Sequence, residues 1–84
     1  MRKSAFTPQY EIFRRKLVAL REDAGITQRE LAQRLDREHS LVAKVEQGER
    51  RLDVIEFCWF CEALKKNPVD VLAEIYPHIK AKKQ

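Results

Sequence analysis

The chain has 84 residues, 44% hydrophobic and 36% charged, with a formal charge of +4. That length allows one domain with a modest core and excludes a separate sensor or catalytic domain beside it. The basic balance favours polyanionic partners, nucleic acid before anionic membrane, and no apolar run approaches a membrane span.

Only two glycines and three prolines are present, so helix is the economical reading throughout. In "TPQYEIF", Thr7 can cap free amides and Pro8 suits the first helical position. Tyr10, Phe13, Leu17, Leu20 and Ala24 then recur at spacings of three and four, predicting one buried stripe that ends at Gly25. "TQRE" (Thr27 to Glu30) is a capping box that opens a second helix, with Leu31, Ala32 and Leu35 inward. The apolar phase then breaks. Leu31, Ala32 and Leu35 make one stripe, Val42 and Val45 another, and the charged run Asp36, Arg37, Glu38 separates them. Asp tolerates the left-handed conformation, so a tight polar turn at Asp36 divides two short helices. The third runs from about His39 to Gln47 and stops at Gly48.

Asp53 caps a fourth helix, with Val54, Phe57, Cys58, Cys61 and Leu64 expected on its core face. Asn67 and Pro68 open a fifth, with Leu72 and Ile75 expected inward and Pro77 as its stop. The expectation is an all-α, compact five-helix bundle: a single domain over 1–84, core about 8–76, with a basic tail over 77–84.

Two short helices joined by a tight turn, the second polar on its outer face, form a helix-turn-helix. The line "LREDAGITQRELAQRLDREHSLVAKVEQGERRLDVIEF" resembles the Cro/repressor-like (XRE-type) helix-turn-helix family of transcriptional regulators. The shared features are Leu20–Arg21, Gly25, Thr27–Gln28, the "ELA" of Glu30–Ala32, and "V-x-x-V-E-x-G" from Val42 to Gly48. The resemblance covers roughly Phe13 to Ile75. It implies a lambda-repressor-like DNA-binding fold whose third helix enters the major groove of double-stranded DNA. His39 and Ser40, with Lys44 one turn later, fall at the base-reading positions, and Ala43 can meet a thymine methyl. Leu41 has two readings, a methyl contact or a seam against the second helix. Gln28 matches a phosphate-contacting position, with Arg29 beside it, and Arg50 and Arg51 fall where relatives touch the DNA backbone. Arg21 and Glu46 match a structural ion pair of the family. The chain departs from the pattern twice. Asp36 stands at the turn glycine, and Glu38 replaces the usual Ser or Thr cap, a carboxylate that faces phosphates.

Cys58 and Cys61 in "CWFC" lack the strand of a thioredoxin-like site and the four ligands of a structural zinc, so buried small hydrophobes are expected. No metal and no cofactor is called for. Ile55 and Trp59 sit i, i+4 where relatives commonly carry Glu or Lys. Either the first helix or the "YPHI" segment covers them, or they form a homodimer interface. "RRK" (Arg14 to Lys16) reads as an ordinary wet helix face, and Lys80 to Lys83 as a solubilising tail. With no signal-peptide core and only two cysteines, the expected setting is the reduced cytoplasm. No Ser/His/Asp set, paired acids in a cleft or phosphate loop points to an enzyme.

The resemblance thus implies a homodimeric, sequence-specific regulator, repression being the expected direction, controlled by concentration, operator spacing or a regulatory protein partner. The alternative is a protein-interaction adaptor that keeps the helix-turn-helix fold with weak or no specific DNA binding.

Overall fold

The computed structural model describes residues 7–81, which form five helices. In α1 (Pro8–Asp23) the Thr7 hydroxyl accepts the Tyr10 amide at 3.0 Å. Gly25, at φ +74°, closes the helix, with its amide on the Glu22 carbonyl and that of Ile26 on Arg21. Tyr10, Leu17 and Leu20 are buried. Ala24 is exposed, contrary to expectation, because it is the C-cap and lies past the last turn that faces the core.

α2 (Gln28–Leu35) opens on the capping box, with Thr27 Oγ1 accepting the Glu30 amide and Glu30 Oε1 accepting the Thr27 amide. Asp36 ends it in the left-handed region, at φ 56° and ψ 43°. Three residues, Asp36 to Glu38, lead into α3 (His39–Glu46), so the stretch is two helices. Gly48 follows at φ +84°, and it is buried: a Cβ there would lie 3.4 Å from Arg14 Cδ.

α4 (Val54–Ala63) starts from a second capping box, Asp53 with Glu56. Its buried residues are Phe57, Phe60 and Cys61, followed by Leu64. Val54 is 69% exposed and Cys58 only half-buried, which corrects the expected core face. The helix is apolar on nearly every side, so its sequence carries no polar face to fix the rotation. Burying the large Phe60 turns Val54 outward.

α5 (Pro68–Ile79) is capped by Asn67, whose side-chain oxygen accepts the Val69 amide at 2.8 Å. Val71 and Ile75 face the core and Leu72 is exposed, the reverse of the expected phase at 72. Pro77 does not stop the helix. A proline in the final turn removes one amide, and Lys80 still donates to the Tyr76 carbonyl at 3.1 Å. The helix therefore includes 77–79, which the sequence assigns to the tail, and Lys80 is its C-cap. Lys82 and Lys83 lie outside the described residues.

One core unites the helices. Leu31 and Ala32 of α2, Val42 and Val45 of α3, and Phe57, Phe60 and Cys61 of α4 meet Leu17 and Leu20 of α1 and Val71 of α5. Both α3 valines are 0% exposed, which locks the rotation of α3 and dictates which of its side chains face solvent.

Candidate nucleic-acid interface

His39, Ser40, Ala43 and Lys44 recur at i, i+1, i+4 and i+5 on α3, opposite Val42 and Val45. His39, Ser40 and Lys44 are exposed, and Ala43 is half-buried. The structure therefore presents these four predicted residues on one solvent-facing strip. Leu41 is half-buried and packs against the core.

A hydrogen-bonded hub supports the strip from below. Glu46, the last residue of α3, is 7% exposed. Its Oε2 accepts Arg21 Nε at 2.6 Å, and its Oε1 accepts Arg21 Nη2 at 3.0 Å and Gln28 Nε2 at 2.8 Å. Arg21 also donates Nη1 to the Ile26 carbonyl at 2.8 Å, behind the start of α2. The hydrogen bond to Glu46 pushes the Arg21 pKa up, so the guanidinium stays charged. Gln28, predicted to touch phosphate, is thus half-buried and oriented by Glu46, with one Nε2 hydrogen still unspent.

Arg14, read as part of a wet face, is instead a clamp. It donates Nη1 to the Glu46 carbonyl, Nε to Glu11 Oε1 at 2.9 Å, and Nη2 to Glu11 Oε2. Its hydrogen bond holds the Glu11 carboxyl down to about 2. The i, i+3 spacing of Glu11 and Arg14 was the available signal, but the carbonyl it reaches is 32 residues away.

The backbone candidates differ in how they are held. Arg29 is exposed beside Gln28 and has no ion-pair partner among the described residues. Arg50 is folded back, its Nη1 and Nη2 on the Glu56 carboxylate at 3.1 and 2.8 Å, which lowers the Glu56 pKa. Arg51 is exposed, with its guanidinium 4.7 Å above the Tyr10 ring. Tyr10 also accepts the Leu52 amide on its hydroxyl at 3.1 Å, so one aromatic residue fixes the segment between α3 and α4.

Ile55 is 54% and Trp59 49% exposed, and neither α1 nor the 76–79 segment of α5 covers them. Trp59 borders a groove between α2 and α4, with Arg34, Arg37, Leu41, Glu56 and Glu62. A second apolar surface went unforeseen. Val54 of α4 and Val69 and Leu72 of α5 are all 46% exposed or more, around a groove floored by Phe13, Phe57 and Ile75. Spacing revealed it only once the rotations of α4 and α5 were known.

Cys61 is buried, and burial pushes its thiol up to about 11, which makes it unreactive. Among the described residues, no three His, Cys, Asp or Glu side chains come together as a metal site would require. Nor is any described helix long and apolar enough to cross a membrane.

The family described as "Helix-turn-helix domain" matches residues 12–74. Among solved structures, the chain is similar to an XRE-family like protein from Pseudomonas syringae pv. tomato str. DC3000. The identity is 43% and the TM-score 0.81, over 86% of this chain and 88% of that one. It is also similar to the clp gene regulator ClgR from C. glutamicum, at 26% identity and a TM-score of 0.73, over 93% of this chain and 100% of that one. Comparison with curated proteins finds no significant match.

Proposed function

Because the chain belongs to the XRE-type helix-turn-helix family and is a DNA-binding transcription regulator, we propose that it represses transcription as a homodimer on a near-palindromic operator. The observation that carries this reading is the solvent-facing strip on α3, rigidly opposed to Val42 and Val45. A helix held in that way can offer Lys44 to guanine O6 and N7, His39 and Ser40 to base edges, and Ala43 to a thymine methyl. Gln28 and Arg29 at the start of α2, with Arg50 and Arg51 after α3, would flank the groove on phosphates. The protein would act by binding in the cytoplasm, without catalysis, cofactor or membrane contact.

The direct test is selection of bound duplexes from a random library at about 0.15 M salt, where phosphate attraction is partly screened. An enriched inverted repeat with half-sites ~34 Å apart supports a dimeric regulator. The absence of enrichment from folded protein would favour the adaptor. That second reading has one observation behind it, the half-exposed Trp59 in a groove bordered by charges of both signs.

Two variants separate the roles assigned to the arginines and to α3. Lys44→Ala should cost about 1–3 kcal/mol against the preferred base at one position and little elsewhere. Arg51→Ala should weaken binding to all duplexes alike and reduce the salt slope by about 0.9 for each phosphate that is no longer neutralised. Titrations against operator variants at several salt concentrations check both, and exchanged behaviours would show a wrong docking register. Arg51 is the cleaner probe of the pair, because removing Arg50 would also unpair the largely buried Glu56 carboxylate.

A further inference from the structure

We propose that Glu38 is a specificity-determining residue whose carboxylate selects cytosine at one position of the half-site. The proposal rests on the major-groove reading above. Glu38 holds the N-cap position of α3 with an extended backbone, φ −70° and ψ 146°, yet its side chain makes no cap hydrogen bond. An N-cap Ser, Thr, Asp or Asn would fold its oxygen over the helix amides. The carboxylate of Glu38 stands away from them instead, exposed, and its one hydrogen bond among the described residues is a long one from Ser40 Oγ at 3.5 Å. That contact puts it on the same side of α3 as Ser40. The groove it borders is shared with Ser40 and Lys44 of the strip, and with Arg37.

A carboxylate in that place is an acceptor only. Phosphates, guanine O6 and N7, and thymine O4 all repel it. In the major groove only cytosine N4 and adenine N6 donate. Adenine sets the acceptor N7 beside its N6, where the second carboxylate oxygen meets it unfavourably, so cytosine is the one base that satisfies Glu38 without a penalty. Arg37, Lys44 and Arg50 border the same groove and outweigh Asp36, its other acid, which reduces the cost of bringing the negative charge close to DNA. The departure from a Ser or Thr cap thus exchanges a helix-capping bond for base discrimination.

The test compares wild type, Glu38→Gln and Glu38→Ala in the same duplex selection, followed by titration of four duplexes that differ only at the position where the profiles diverge. Wild type should prefer cytosine there by about tenfold or more. Glu38→Gln should move the preference to adenine, because a carboxamide pairs with N6 and N7 together. Glu38→Ala should show no preference there while binding random duplex more tightly. Since Glu38 makes no cap bond, both variants should melt with wild type, which a thermal scan confirms. A uniform rise in affinity with every base preference unchanged would overturn the proposal and reduce Glu38 to a phosphate repellent. A wild type that enriches no sequence would overturn the major-groove reading itself, and Glu38 with it; the two failures are told apart by the wild-type profile alone.

Discussion

Glu46→Ala should destabilise the protein by about 3–5 kcal/mol, because it leaves the Arg21 guanidinium charged, largely buried and unpaired. For a domain of this size such a loss lowers Tm by ~15 °C or more. The carboxylate accepts from Arg21 and Gln28, so three elements lose a common anchor: the end of α1, the start of α2 and the end of α3. Replacing both members by apolar residues, Arg21→Met with Glu46→Leu, should recover most of the loss, since the cost lies in the orphaned charge rather than in the missing attraction. Urea melts of the two variants decide it. A loss below about 1 kcal/mol for Glu46→Ala would place the pair in the class of solvent-screened surface bridges, contrary to its burial.

Trp59→Glu should yield a monomer whose operator affinity is lower by about a hundredfold or more, since two linked half-site contacts become one. Trp59 is half-exposed, and its ring closes no part of the core, so the variant should melt close to wild type. A carboxylate in place of the indole removes the apolar anchor and would have to be desolvated against a second copy, a cost that Arg34 and Arg37 beside the groove offset only in part, since Glu56 and Glu62 border it too. Sedimentation and operator titration together give the answer. An unchanged dimer would relocate the interface to the α5 surface, where Val69→Glu or Leu72→Glu should then dissociate it.

How much of this could be read beforehand depended on the range of each interaction. The caps of α1, α2, α4 and α5, the left-handed Asp36 and the break between α2 and α3 follow from residues within four positions of one another, and all stood in the sequence. The rotations of α4 and α5 did not. α4 has no polar face, and the polar stripe of α5 (Asp70, Glu74 and His78) leaves both Val71 and Leu72 on the apolar side, so the competition among Val54, Cys58 and Phe60, and between Val71 and Leu72, was settled by volume and by the neighbouring helices. The solvent face of α3 was legible because Val42 and Val45 leave it only one orientation. The internal engagements of Arg14 and Gln28 were not, since their partners lie 32 and 18 residues away. Arg50 is a different case. Its partner Glu56 is only six residues distant, but a turn and a helix cap intervene, and periodicity does not register such a pair.

The chain has a single tryptophan, and it sits on the surface of α4 rather than in the core. Indole emission will therefore be a poor gauge of unfolding, because the ring is half in water before the chain opens. For the same reason it is well placed as an optical reporter of association. Whatever docks against α4 will dry the ring and shift its emission to the blue, with no label added.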